Sequence, residues 1–350
     1  MTATNDDVGR PPFDLRGKRV WVSGHRGMVG SALVRRLARE DCTLLFVDRT
    51  EVDLTSQTAT EDWMRRERPE IIFAAAARVG GIIANATYPA EFLYENLMIG
   101  ANVIHAAYRT GVEKLLYLGS SCIYPRDTAQ PIREDQLLTG ALEKTNEPYA
   151  IAKIAGVKMV ECYARQYGCR FISAMPTNLY GPNDNFDLET SHVLPALIRR
   201  IHEAKIRGLA SVEIWGSGRP RREFLHVDDL ADACIIAMRQ YEAPTPINIG
   251  TGADISVAEL AKVIADVVGY QGTFAFDSRR PDGTPRKLLD IERIAQLGWR
   301  SGIDLEGGIR DTYRWWLEQA PPRTDDDDHD GGHHQKPGPS GQASNALVFG

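Results

Sequence analysis

The run KRVWVS at 18–23 stops at a glycine, and two more glycines follow at three-residue intervals: Gly24, Gly27 and Gly30 within SGHRGMVGSALVRRLA. An apolar strand that ends in such a turn and opens straight onto helical spacing has a narrow set of uses. The first glycine permits a tight turn, the second lets backbone approach a pyrophosphate, and the third lets helix and strand pack closely. The helix start then offers unpaired N–H groups and the positive end of its dipole to an anion. The alternation continues along the chain. Strand-like runs at 43–47, 71–75, 115–118 and 171–175 are separated by helical patterns at 28–39, 56–66, 89–109 and 149–167. Pro89 suits the first turn of its helix. Strands alternating with helices predict an α/β fold built on a Rossmann-type, doubly wound parallel sheet.

The rhythm breaks after Tyr180. NLYGPNDNF is rich in turn residues, and helical spacing resumes at 192–205. A strand at 212–215 precedes GSGRPRREF, and PINIGTG reads as a strand end. Ser256 can cap a helix reaching 268, and a strand at 273–276 and a helix at 304–319 follow. These pieces predict a smaller, discontinuous α/β substrate lobe, mainly 181–320. Residues 17–180 would form the cofactor domain, with segments at about 220–250 returning to it. The polar stretches 1–16 and 321–350 are expected to be disordered tails, having almost nothing to bury. Four aspartates near His329, His333 and His334 fit a solvated tail rather than a metal site.

Bulk properties remove several function classes. A formal net charge of −6 argues against nucleic acid, whose phosphates need a basic surface. No apolar run reaches the ~18 residues of a membrane span, and the opening MTATNDDVGRPPFD lacks the plan of a signal peptide. The five cysteines are odd in number and show no CxxC spacing. That suits a reducing cytoplasm and no zinc site.

The chemistry concentrates in three runs: LGSSCIYP, NEPYAIAK and TSHVLPAL. Tyr149 and Lys153 stand one helical turn apart, so they share a face. An ammonium beside a phenol is expected to lower the phenol's pKa from about 10. Such a phenol can exchange a proton with a carbinol or carbonyl oxygen as a cofactor moves hydride. Ser120 falls just beyond the fourth strand, at the sheet edge where ligands bind, within reach of the same oxygen. Cys122 lies two residues on, facing the same side. It serves either as a packed thiol or as a base near the nicotinamide. His192 opens a helix and has a pKa near working pH. Together, the glycine turn, Ser120, Tyr149 and Lys153 point to a short-chain-type reductase or epimerase. A nucleotide-sugar 4-epimerase or 4,6-dehydratase is the nearest rival, and a binding protein that has lost its chemistry is a more distant one.

Cofactor choice is read after the second strand. An acid there bonds a ribose 2′-hydroxyl, whereas arginine accommodates a 2′-phosphate. This chain has both, Asp48 and Arg49, with Arg26 inside the glycine turn. Two guanidiniums favour NADPH/NADP+, and Asp48 leaves the strictness of that preference open. Asp53 and Leu54 are candidates for the adenine.

GHRGMVGSA, AAARVGGIIANATYPAEFLYEN, LLYLGSSCIYP, NEPYAIAKIAG, MPTNLYGPNDNF, SHVLPALIRR, WGSGRPRREFLHVDD and PDGTPRKLLD together resemble the GDP-L-fucose synthases. These are the GDP-4-keto-6-deoxy-D-mannose 3,5-epimerase/4-reductases of the extended short-chain dehydrogenase/reductase superfamily. The resemblance spans roughly residues 18–318. It implies inversion at C3 and C5 and NADPH-dependent reduction at C4 in one pocket. Ser120 and Tyr149 would hold the C4 oxygen, and Lys153 would tune Tyr149 and bind the nicotinamide ribose. Cys122 would be the base and His192 the acid, needing only modest tuning of their ordinary pKa values. Cofactor contacts would come from Gly24, Arg26, Gly27, Met28, Val29, Gly30, Arg49, Asp53 and Leu54. Others would come from Leu118, Gly119, Ser120, Ser121, Lys153, Pro176, Thr177, Asn178, Leu179 and His192. The GDP-sugar would meet Arg200, Trp215, Arg222 and Asp282. The family implies a homodimer paired through the helices at 89–109 and 149–167.

Overall fold

The computed structural model describes residues 12–188, 190–279 and 282–319. β1 (Arg19–Ser23) runs into α1 (Met28–Leu37), followed by β2 (Thr43–Leu45), α2 (Gln57–Glu67), β3 (Ile71–Ala74) and α3 (Ile82–Thr87). Next come α4 (Pro89–Thr110), β4 (Lys114–Leu118), α5 (Glu147–Tyr167) and β5 (Arg170–Pro176). Sequence punctuation sets the ends. Ser56 Oγ accepts from Ala59 N to cap α2, and Pro89 opens α4. Gly111 and Gly168 close α4 and α5 at φ 77° and 69°, left-handed geometry that a side chain would resist.

The second half adds β6 (Asn178–Tyr180), α6 (Val193–Ile206), β7 (Ser211–Trp215), β8 (Arg221–His226), α7 (Val227–Gln240) and β9 (Ile247–Ile249). It ends with β10 (Asp254–Ser256), α8 (Val257–Val268), β11 (Thr273–Asp277), β12 (Arg286–Lys287), α9 (Glu292–Gln296) and α10 (Leu305–Gln319).

Six strands form one parallel sheet in the order β2-β1-β3-β4-β5-β9. β3 and β4 are buried at every position, as expected where helices cover both faces. One core packs α1 and α7 on one face and a second packs α2, α4 and α5 on the other. The chain steps from β1 to β2 on one side and returns to β3 on the other. The strand order therefore reverses between β1 and β3, which opens a crevice at the carboxyl edge. A third core joins α6, α8 and α10. Two small sheets sit with it: β11-β7, and β10-β8-β12 with β6 also paired to β8.

The doubly wound α/β architecture agrees with the sequence, and several details differ. Residues 12–16 are not loose: Phe13 and Leu15 are buried, and Phe13 N donates to Arg239 O at 2.7 Å. Their apolar side chains outweigh the polar neighbours that suggested a tail. β2 ends at Leu45 rather than 47, because the chain then turns and Glu51 N and Val52 N both donate to Asp48 O. The sequence also concealed β8 and β12. Their charged residues are held in place by side-chain contacts rather than by an apolar face. Asp254 grips Arg221 at 2.9 Å and also pairs with Arg286. The expectations for 1–11 and 321–350 lie outside the described residues.

Candidate active site

Ser120 caps a short 3-10 turn after β4 and its Oγ accepts from Cys122 N at 3.3 Å. Tyr149 lies in the first turn of α5 and Lys153 one turn further, on the face packed against β4. His192 occupies the position before α6. All five side chains line one cavity of about 470 Å3 at the carboxyl edge of the large sheet. Met28, Val29, Leu118, Gly119, Ser121, Pro176, Thr177, Asn178 and Leu179 line it as well. So do Arg200 from α6, Trp215 from β7, Arg222 from β8 and Asp282 from the segment between β11 and β12.

A second cavity, about 180 Å3, holds Gly24, Arg26, Asp48, Arg49, Asp53 and Leu54. The glycine turn separates the two. Gly24 sits at φ 73°, where an added Cβ would lie 2.9 Å from Ala76 Cα. A Cβ at Gly30 would run into the Gly24 carbonyl. Gly27 precedes α1 with no side-chain cap on the helix start. Gly27 and Gly30 thus shape the turn without lining either cavity.

The reacting groups have unusual electrostatics. Lys153 is 3% exposed and its Nζ donates to Leu118 O at 2.8 Å. Burial lowers its pKa to about 8. Its Nζ is 5.9 Å from the Tyr149 ring centre and 5.0 Å from that of Tyr117. Tyr149 is pushed well above the ordinary phenol value, first by burial and then by Cys122 and Tyr117. The sequence expectation of a lowered phenol pKa is therefore corrected: removal of water from the phenolate outweighs the ammonium one turn away. Cys122 is also raised, mainly by burial, against the opposing pull of Lys287, Ser120 and Lys153. His192 is lowered by burial and then by Lys287. The thiol and imidazole move apart rather than together, so the expected modest tuning does not hold in this state. Loss of water in the cavity favours the protonated thiol and the neutral imidazole, with His192 the more exposed of the two.

The end of the cavity lined by the smaller sheets is built differently. The Arg200 guanidinium stacks on Trp215 at 4.5 Å from the ring centre, and Trp215 is 40% exposed. Asp282 accepts from Ser217 N at 2.6 Å and Ser217 Oγ at 2.7 Å, which closes the turn after β7. These bonds hold its carboxyl below the usual range. Arg222 is lowered by burial.

Sequence reasoning missed Lys287. It pairs in register with Arg222 across β12 and β8, and both line the main cavity. Their neighbours Arg286 and Arg221 are the residues paired with Asp254, so strand alternation turns 222 and 287 the other way. Buried Glu223 fastens this corner by accepting from Leu289 N at 3.0 Å and Gly252 N at 2.7 Å. Burial lowers Lys287, and Cys122 pulls it back up. Glu143 and Asn146 also line the cavity and were not singled out. Asn146 Oδ1 is buried with no hydrogen-bond partner. Its position three residues before Tyr149 in NEPY was the available signal.

The sequence profile of the NAD dependent epimerase/dehydratase family matches residues 20–250. A GDP-L-fucose synthase of Sinorhizobium fredii (strain NBRC 101917 / NGR234) is 56% identical over 303 residues, 87% of this chain and 96% of that one. A crystal structure of a GDP-6-OMe-4-keto-L-xylo-heptose reductase from C. jejuni superposes with a TM-score of 0.83 at 38% identity, covering 88% of this chain and 100% of the other. A GDP-L-fucose synthetase from Naegleria fowleri, bound to NADP, gives a TM-score of 0.81 at 27% identity, covering 89% and 97%. Glycine turn, tyrosine–lysine helix and strand-edge serine thus occur in a chain that belongs to the NAD dependent epimerase/dehydratase family, among its GDP-L-fucose synthases.

Proposed function

We propose that this chain is an NADPH-dependent GDP-L-fucose synthase, which inverts C3 and C5 of GDP-4-keto-6-deoxy-D-mannose and reduces its C4 ketone. One observation carries the reading: Ser120, Cys122, Tyr149, Lys153 and His192 converge on a cavity that Trp215 and Arg222 also line. The glycine turn fits the cofactor. The added-Cβ clashes at Gly24 and Gly30 mark backbone that only glycine permits, beside an uncapped helix start. Met28 and Val29, Leu118 to Ser121 and Pro176 to Leu179 would hold its nicotinamide half. Arg26, Arg49, Asp53 and Leu54 would hold the adenosine half. Bound NADPH supplies the hydride for C4.

The protein's own groups do the rest. Protons at C3 and C5 are acidic because each carbon neighbours the C4 carbonyl. Ser120 and Tyr149 donate hydrogen bonds to the C4 oxygen, which steadies the enolate formed by each deprotonation and the later alkoxide. For this the Cys122 proton first passes to His192 as substrate binds; the thiolate of Cys122 then takes the carbon protons and the His192 imidazolium returns them on the other face. Tyr149's high pKa keeps its proton in place until the strongly basic alkoxide at C4 demands it. Lys153, mostly protonated at neutral pH, supports the resulting phenolate. Trp215 packs against guanine, and Arg222 binds the diphosphate with its planar fork. Arg200 and Asp282 complete the sugar-nucleotide contacts.

Incubating the purified chain with GDP-4-keto-6-deoxy-D-mannose and NADPH in heavy water tests this. The expected product is GDP-L-fucose labelled at C3 and C5. A C4-reduced sugar free of deuterium at both carbons contradicts the epimerase half, and an unreduced sugar contradicts the reductase half.

A homodimer through α4 and α5 completes the proposal. These helices pack together and expose Tyr94, Leu97, Tyr108, Ile151 and Tyr167, with Tyr108 stacked on Tyr167 at 4.4 Å. Such a patch suits burial against a second copy, and sedimentation at micromolar concentration measures it. All five cysteines are free thiols, which supports a cytoplasmic setting. No described helix is long and apolar enough to cross a membrane.

A further inference from the structure

The second cavity has its own charge arrangement. Asp48 Oδ2 lies 2.6 Å from Arg26 Nη2, and Asp48 Oδ1 lies 3.6 Å from His25 Nε2. The His25 ring leans on Phe46 at 4.9 Å and its pKa is lowered by burial, so the imidazole is neutral at pH 7 and leaves Asp48 to Arg26. Arg49 Nη1 is 3.7 Å from Glu95 Oε2 on α4, and Glu95 Oε1 also accepts from Arg78 Nη1 at 2.6 Å. Both guanidiniums that would read a 2′-phosphate therefore already face carboxylates. Arg26 is 74% exposed and Asp48 25%, so the pair sits at the cavity rim.

We infer that Asp48 sets the cofactor selectivity of this chain by competing with the 2′-phosphate for Arg26. The inference rests on the dinucleotide reading above. A phosphate dianion entering beside Arg26 meets the Asp48 carboxylate at close range, and like charges there repel. To bind, it must displace Asp48 or share the guanidinium with it. A bare ribose meets no such conflict: its 2′-hydroxyl donates to Asp48 while the Arg26 pair stays intact. The chain thus accepts NAD(H) alongside NADP(H), with a narrow gap between them. Exposure of Arg26 weakens its pair with Asp48 through solvent screening, so the preference that pair sets is small and easily shifted.

Isothermal titration of the full chain with NADP+ and with NAD+ tests this without turnover. Wild type is expected to bind NADP+ within about tenfold of NAD+. Asp48→Asn should tighten NADP+ about tenfold and weaken NAD+ a few-fold, since the amide removes the repulsion and offers a poorer acceptor. Arg26→Ala should weaken NADP+ about tenfold, several-fold more than it weakens NAD+. A second measurement needs no variant: 2′,5′-ADP should bind wild type only several-fold more tightly than 5′-AMP. An Asp48→Asn affinity ratio within about twofold of wild type, or a wild-type gap between the adenosine probes beyond about a hundredfold, overturns the inference. Binding of neither dinucleotide to wild type overturns the dinucleotide reading itself, and the inference with it.

Discussion

The two ends of the main cavity are held by opposite means. At the end proposed to react, Lys153 is buried, Tyr149 and Cys122 are half-buried and His192 is exposed, and loss of water is the leading cause of every pKa displacement among them. At the sugar end, Trp215 is partly exposed, Arg200 stacks on it, and Asp282 is fastened by hydrogen bonds from Ser217. Charges in water are screened and replaceable, whereas charges without water are costly and therefore specific. Substitutions at the reacting end should change the chemistry, and those at the sugar end should change affinity.

The sharpest way to break that contrast is Tyr149→Phe. C4 reduction should fall by about a thousandfold, while deuterium entry at C3 and C5, followed by mass spectrometry, persists. Equal loss of both steps would dissolve the division of labour. Cys122→Ser is the complementary cut. Carbon-bound deuterium uptake should drop by about a hundredfold or more, because a serine hydroxyl is a far poorer base at neutral pH.

Lys287 probes the same end through its neighbours. Lys287→Met should shift the pH profile of Cys122 alkylation upward, since the cation opposing the thiol's rise is gone. Exchange should slow about tenfold, and Lys287→Arg should recover part of it. A rise in KM for the GDP-sugar with an unmoved alkylation profile would assign Lys287 to the diphosphate instead.

Lys153 separates stability from function. Its pKa falls from the ordinary 10.5 to about 8 in the fold. Between those values the unfolded chain binds the extra proton, so wild-type stability rises with pH across that window. Below pH 8 the cost of burying the charge is fully present, on the order of 3 kcal/mol at ~1.4 kcal/mol per pH unit. Loss of the bond to Leu118 O offsets about 1–3 kcal/mol of the relief in Lys153→Met. That variant should be as stable as wild type at pH 7, or more stable by up to about 2 kcal/mol, and should lose its advantage near pH 10. Denaturant melts at both pH values measure this. A variant already less stable at pH 7, with a deficit that shrinks as pH rises, would reverse the sign. The smallest effect is expected at Trp215→Ala, which should raise KM about fivefold with kcat nearly unchanged.

The groups proposed to carry the chemistry were legible because their spacing is local. A turn of helix brings Tyr149 and Lys153 to one face, and Ser120 and the glycine turn each follow a readable strand. Lys287 was not legible. It lies in a two-residue strand whose direction is set by pairing with β8 and by Asp254, a contact between distant segments. Phe13 and Leu15 were hidden for a related reason: their burial depends on α7 and the sheet edge reaching them, not on the polar residues beside them.

By itself, the sequence determined the parallel α/β scaffold and put forward the dinucleotide turn and the groups proposed to react, all from residue type at short, regular intervals. Only the tertiary structure decided their protonation and pairing: a phenol raised instead of lowered, a thiol that keeps its proton, and an Arg26 already matched with Asp48. Dehydration and charge proximity depend on everything that packs around a group, and the segments supplying those neighbours lie far apart in the chain.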